Sequence, residues 1–273
     1  MLYIKRKVLY IMVIAIIMSI FIPKFIFKYK AVLTYANKKS YIALVIDDLG
    51  EHGDGTDELL KLDIPVTVAV MPFLECSKED AELFHNAGFE VILHLPMESE
   101  TGNKKWLGPK PITSSMTNEE IRNVVNEGLD EIKWAKGINN HMGSKSIKDE
   151  RIMAEVLKVA QENNLFFLDS KTGTITVAKN ISEKLNVMYF ERDVFLDNSK
   201  SEKEITKEMN KLEDIAKSKG YAVGIGHIGG QGGKVTVNII NKMSKEMKNR
   251  GIEFVYLSEL KRIADGSEKV NAD

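Results

Sequence analysis

Five residues carry the chemistry open to this chain, and each stands at or near the end of an apolar run. "YIALVIDDLG", Tyr41 to Gly50, finishes in the adjacent acids Asp47 and Asp48. "ILHLPME" carries His94, "NNHMGS" carries His141, and "VGIGHIGG" carries His227. Two neighbouring carboxylates repel each other and are costly to bury unpaired, so a surface turn built on Asp-Leu-Gly is the plain reading of the first stretch. The recurrence argues against it, because three of the five histidines close apolar runs in the same way. One carboxylate with two imidazoles is a common open site for Zn²⁺ or a similar divalent ion. Such an ion makes a bound water more acidic and polarises a carbonyl. A second carboxylate can then take the water's proton, and a histidine across the site can protonate a leaving group. The set allows metal-assisted hydrolysis.

These residues need elements that bring them to one place. Apolar, β-rich runs recur at Ile42–Ile46, Val66–Met71, Phe89–His94, Phe166–Asp169, Val187–Phe190, Tyr221–His227 and Ile252–Leu257, with a weaker one at Ile138–His141. Amphipathic stretches lie between most of them: Asp54–Leu62, Lys78–Ala87, Asn118–Lys136, Asp149–Asn163, Glu202–Lys219 and Val235–Asn249. "TNEE" from Thr117 is a capping box, "SIKD" from Ser146 resembles one, and Gly88 and Gly251 stand where a helix would stop before a strand. Strands alternating with helices imply parallel pairing and an α/β fold. About eight such units point to a barrel, with an open doubly wound sheet as the alternative. In either architecture the C-terminal strand ends share a face, where active sites form. The longest loop, Pro96 to Met116, is a candidate substrate-facing segment.

Composition narrows the classes. The chain has 273 residues, with 38 Lys+Arg against 39 Asp+Glu and a net charge of −1, which gives no basic surface for nucleic acid. A single cysteine, Cys76, excludes an internal disulfide framework, and no nearby histidine would activate it. The N-terminus is basic in "MLYIKRK" and then apolar and uncharged from Val8 to Ile22. That is the pattern of an export signal, cleaved or retained; the site after "LTYA" lies far from the apolar run, which favours an uncleaved membrane anchor. The expected organisation is an anchor and linker at 1–39, a catalytic domain at 40–265 outside the cytoplasm, and a polar tail at 266–273.

"VIDD", "HLPME", "NNHMGS" and "GIGH" together resemble the divergent polysaccharide deacetylases, over roughly Ser40 to Ala264. The resemblance implies a distorted (β/α) barrel with about seven parallel strands. It implies removal of N-acetyl or related acyl groups from a polysaccharide substrate, peptidoglycan or an exopolysaccharide. By it, Asp47 is the base, Asp48 a metal ligand, His94 the first histidine ligand and His227 the acid. Glu98 stands where the wider superfamily has its second histidine, and the segment matching the usual Arg-containing motif brings in His141 instead. The third ligand is therefore His141 or Glu98; His141 is preferred because imidazole suits Zn²⁺ better. The altered motif also keeps open a non-catalytic, glycan-binding protein that retains the barrel.

Other residues have a plain reading beside a functional one. Asp169, Arg192, Asp193 and Asp197 could orient the base and histidines, or Arg192 could pair with a buried aspartate. Asn140 and Ser144 could touch substrate or fix a loop. Trp106 could stack on a sugar or cover the core. "GGQGGK" fails as a phosphate loop, since Ile228 takes the first Gly position and Val235 follows Lys234, and it reads as a flexible loop beside the site.

Overall fold

The first strand is apolar on both faces, as a strand flanked by two others and covered on both sides must be. It is β1, Ser40–Leu49. In the computed structural model, which describes residues 39–101 and 104–264, it is the central stave of an all-parallel barrel. The expected anchor at Val8–Ile22, its linker and the tail at 266–273 lie outside the described residues. No helix among the described residues is long and apolar enough to cross a membrane.

Eight further strands follow β1: β2 Thr67–Val70, β3 Glu90–Met97, β4 Gly137–Met142, β5 Phe166–Asp169, β6 Tyr189–Glu191, β7 Val194–Phe195, β8 Tyr221–His227 and β9 Ile252–Val255. Pairing runs β6-β5-β4-β3-β2-β1-β8-β7, and β9 pairs with the first half of β1. Only Arg192 and Asp193 separate β6 from β7. The two ends of the pairing path are thus one broken strand, bonded first to β5 and then to β8. This closes a distorted barrel of seven staves, and the open-sheet alternative falls. The strand expected at Val187–Phe190 starts two residues later, and β7 was not expected at all. It has only two residues, too short for any periodicity to show.

Alternation along the strands separates two cores. Tyr41, Ala43 and Val45 point into the barrel with Ile92, Leu168, Phe190 and Ile225. Ile42, Leu44 and Ile46 point outward and pack with residues of the surrounding helices. Those helices are α1 Thr56–Leu59, α2 Ser77–Asn86, α3 Asn118–Glu131, α4 Glu150–Glu162, α5 Ala178–Leu185, α6 Glu202–Lys219, α7 Lys234–Asn249 and α8 Leu260–Ala264. The sequence missed α5, whose eight residues give barely two turns of pattern. Thr117 caps α3 in a reciprocal box with Glu120. The box expected at Ser146 is absent: Ser146–Lys148 is a 3₁₀ turn, and Asp149 caps α4 by accepting from the backbone of Arg151 and Ile152. Gly88 and Gly251 follow their helices at φ 89°, the left-handed stop expected of them.

Candidate metal centre and active site

The inward alternation continues past the apolar interior into a layer of polar side chains at the C-terminal mouth. Asp47 follows Val45, His94 follows Ile92, Ser170 follows Leu168, Arg192 follows Phe190 and His227 follows Ile225, each two residues on. Strand register sets neighbours in this layer: Asp47 stands beside His227, and His94 beside Asn139.

Asp48 should point outward by the same alternation. It does not, because its backbone adopts a left-handed φ of 67° and the pairing of β1 with β2 shifts register between Ile46 and Leu49. A non-glycine residue held there is strained, and such strain persists where the surroundings enforce it. The bend brings both acids to one place. Asp48 Oδ1 lies 3.2 Å from His94 Nε2 and 3.1 Å from His141 Nδ1. The two imidazole nitrogens are 3.1 Å apart. Among the described residues, Asp48, His94 and His141 are the group that could hold a metal ion.

The protons in this cluster are fixed by the outer partners. Asn139 Nδ2 donates to Asp47 Oδ1 at 2.9 Å, so Asn139 Oδ1 faces His94 Nδ1, 2.8 Å away, and must accept from it. The carbonyl of Trp106 lies 2.7 Å from His141 Nε2 and can only accept. In their neutral forms both imidazoles therefore turn lone pairs toward Asp48. Asp48 Oδ1 is buried and receives no hydrogen bond. With both imidazoles neutral, three acceptors converge with no proton between them, which is the arrangement a cation would relieve. The edge of a tetrahedral zinc site with bonds of ~2.0–2.1 Å is roughly 3.3 Å, close to the separations here. The donor set fits a divalent ion.

Burial works against the charged form of Asp48, yet the two imidazoles hold its carboxyl well below the usual range. Burial likewise opposes charge on His94, but the carboxylates of Asp47 and Asp48 raise it above the ordinary imidazole value. The pocket attracts positive charge. Burial raises the Asp47 carboxyl, partly offset by His94 and His227.

His227 is oriented by Asp197, whose Oδ1 lies 2.7 Å from its Nδ1. The other carboxylate oxygen accepts from the His227 backbone at 2.7 Å and from the Thr236 hydroxyl at 2.9 Å. This leaves Nε2 for substrate. Against the opposing effect of burial, Asp197 lifts His227 to about 9.

Glu98 is elsewhere. Its carboxylate pairs with Lys145 at 2.8 Å and accepts from the Ser114 backbone at 2.8 Å, and these partners lower it to about 2. Of the acids grouped with Asp197, Asp193 accepts from the Val223 backbone at 2.8 Å, and Asp169 accepts from Lys171 and Tyr189. Both serve the broken strand. Arg192 forms no ion pair with an aspartate among the described residues; it bonds the carbonyls of Ser170 and Lys171. Asn140 is buried and fixes the turn through Met142 and Ser170, and Ser144 ties two loops through Ser99 and Glu100. Trp106 is 69% exposed, so it does not cover the core. The glycine-rich loop is pinned: the backbones of Gly229 and Lys234 bond Asp54 at 2.8 and 3.0 Å. Sequence reasoning missed Asn139 and Thr236. Asn139 was legible in principle, since it lies two residues before His141 on one strand and so shares its face.

The family model for divergent polysaccharide deacetylases matches residues 44–261. An uncharacterised protein, YibQ, of Escherichia coli K12 is 34% identical over 186 residues, 68% of this chain and 58% of that protein. The chain thus spans little more than half the length of that relative. A solved structure of an uncharacterised protein from Agrobacterium tumefaciens C58 superposes with TM-score 0.75 at 22% identity, covering 83% of this chain and 93% of that one. A peptidoglycan N-acetylglucosamine deacetylase superposes at TM-score 0.54 and 17% identity, covering 82% and 88%. A CE4 family pseudoenzyme from Bacillus anthracis superposes at 0.51 and 14%, covering 82% and 66%. At these identities the likeness of the solved structures is one of fold.

Proposed function

The chain belongs to the divergent polysaccharide deacetylase family, and from that premise we propose that it is a metal-dependent hydrolase. It removes N-acetyl or related acyl groups from glycans of the cell envelope or extracellular space. The observation that carries this reading is the convergence of Asp48 Oδ1, His94 Nε2 and His141 Nδ1 within 3.2 Å of one another. Those three residues would hold the ion, best suited to be Zn²⁺. When bound, it supplies Lewis-acid chemistry: a more acidic water and a polarised acyl carbonyl.

The chain's own groups do the rest. Asp47 takes the proton of the attacking water, and the Asn139 amide keeps its carboxylate facing the site. His227 delivers a proton from Nε2 to the departing amine nitrogen while Asp197 holds its other nitrogen. The two groups sit on neighbouring strands at paired positions, so one substrate amide can lie between them. The basic and apolar N-terminus supports an anchored domain outside the membrane, where envelope glycans are found.

The test is to purify the protein, measure bound metal and follow acetate release from N-acetylated glycans. Metal with acetate release supports the hydrolase. Metal with no release from any glycan favours a non-catalytic, glycan-binding protein. The observation on that side is Glu98, committed to Lys145 at the position where the wider superfamily carries a histidine.

A further inference from the structure

Among the described residues, the polar layer at the barrel mouth includes a cation to which the proposed hydrolysis gives no role, Arg192. It continues the inward alternation of Phe190, in the broken strand that closes the barrel. Its guanidinium lies over the Phe195 ring, 3.6 Å from the centroid, and that ring is 5.4 Å from the ring of His227. Nε donates to the Ser170 carbonyl at 2.7 Å and Nη2 to the Lys171 carbonyl at 3.0 Å. These two bonds use part of a fork with five donors. Among the described residues no carboxylate lies within ion-pair distance of it.

A half-buried guanidinium is usually paired, because an uncompensated charge removed from water is costly. Neutral carbonyls and a ring face offset that cost in part. They also lock the planar group in one orientation, so little freedom is lost when it meets a second partner. The carboxylates of Asp169, Asp47 and Asp193 favour its charge from farther off, but each bonds other partners: Asp169 accepts from Lys171 and Tyr189, Asp47 from Asn139 and Asp193 from Val223. Lys171, whose carbonyl accepts from Arg192, is already paired with Glu191. The cation on the Phe195 ring thus has donors in reserve, and among the described residues no acid of the protein is bonded to them.

We propose that Arg192 recognises an acidic substituent, carboxylate or phosphate, carried by the sugar, so that the preferred ligand is an acid-bearing N-acylated glycan. This rests on the glycan reading above, and binding rather than turnover tests it. The full chain, loaded with Zn²⁺, is titrated calorimetrically with four probes. They are a β-1,4-linked N-acetylglucosamine tetramer, the tetramer with 3-O-lactyl carboxylates, the methyl ester of that lactyl form, and a 6-O-phosphorylated tetramer. One acidic probe should bind about tenfold more tightly than the neutral tetramer and the ester, as expected for a charge-assisted fork. Which acid it is names the source. Arg192→Gln should bring that probe down to the neutral one, and Arg192→Lys should keep part of the preference. If Arg192→Gln does not fold, raising salt from low to high with the wild-type chain should erode the preference instead. Equal affinity for all four probes, or a preference that survives both Arg192→Gln and high salt, overturns the proposal. Acetate release is followed separately. A preference without release removes the hydrolase reading and leaves this one standing.

Discussion

The two acids of "VIDD" differ in backbone conformation and in partners, and this predicts that they fail differently when changed. Asp48→Asn replaces a charged donor by a neutral amide at the point where three acceptors meet, so bound metal should fall in elemental analysis. Asp47→Asn keeps the shape and the metal, but turnover should drop by about 10²–10⁴, the usual worth of a general base. Full turnover in Asp47→Asn with normal metal would return Asp47 to a turn residue. The acid is tested by pH. His227 is raised to about 9 by Asp197, so its proton is present at neutral pH and turnover should decline as pH rises through about 9. The same sign holds for stability: the His227–Asp197 pair contributes fully below the unfolded value of about 6.5 and is lost as pH rises through the folded value. Asp197→Asn removes the largest raising charge and leaves burial opposed only by the weaker pull of Asp48 and Asp47. The alkaline limb of kcat should then move to lower pH, and an unmoved limb would assign it to another group.

At the scale of elements, the staves were legible and the joints were not. Long apolar runs such as Tyr221–His227 and long amphipathic stretches such as Glu202–Lys219 have enough residues for period and caps to agree. The two-residue β7 and the eight-residue α5 do not, and they exist because the barrel must close. The site shows the same division. Residue types and strand ends brought forward Asp47, Asp48, His94, His141 and His227. What no local pattern could show was the left-handed bend at Asp48, set by long-range register, or the lysine that occupies Glu98. Close approach of elements is equally invisible in sequence, and Gly232 tests it. A Cβ at that position would run into Asp197 Oδ2, the His227 carbonyl and Thr236 Oγ1, so only glycine lets α7 start against the His227–Asp197 pair. Gly232→Ala should lose about 1–3 kcal/mol, as overpacked sites do, with kcat falling alongside. Gly230→Ala, where nothing lies within 4 Å of an added Cβ, should stay within about 0.5 kcal/mol of wild type. Denaturant unfolding of the two variants makes the comparison, and equal loss in both would mean the loop matters for its flexibility rather than for its contact with Asp197.

At the scale of the whole molecule, the proposed envelope substrate and the N-terminal sequence make one joint prediction about location. On the proposed reading the acceptor cluster holds a divalent ion and takes an envelope glycan, and that reading expects the barrel outside the cytoplasm. The physical basis is the charge asymmetry of the first segment: "MLYIKRK" precedes the uncharged stretch Val8–Ile22, and a positive flank is retained on the cytoplasmic side during insertion. The barrel follows the apolar run, so insertion of that run would carry it to the opposite side, which is the prediction to test. At 15 residues, Val8–Ile22 is shorter than the roughly 20 that a span needs. Phe25, Ile26 and Phe27 extend it if Lys24 and Lys28 reach to the interface. An anchored protein should sediment with membranes and resist extraction by salt or alkaline carbonate, whereas a cleaved form should appear free and shortened near Ala36. Protease added to intact wall-less cells should remove the domain that begins near Ser40. Loops such as the one carrying the exposed Trp106 offer cleavage sites. Protection of the domain until the cells are lysed would place it inside, beyond reach of envelope glycans, and the acyl group would then have to come from a cytoplasmic sugar.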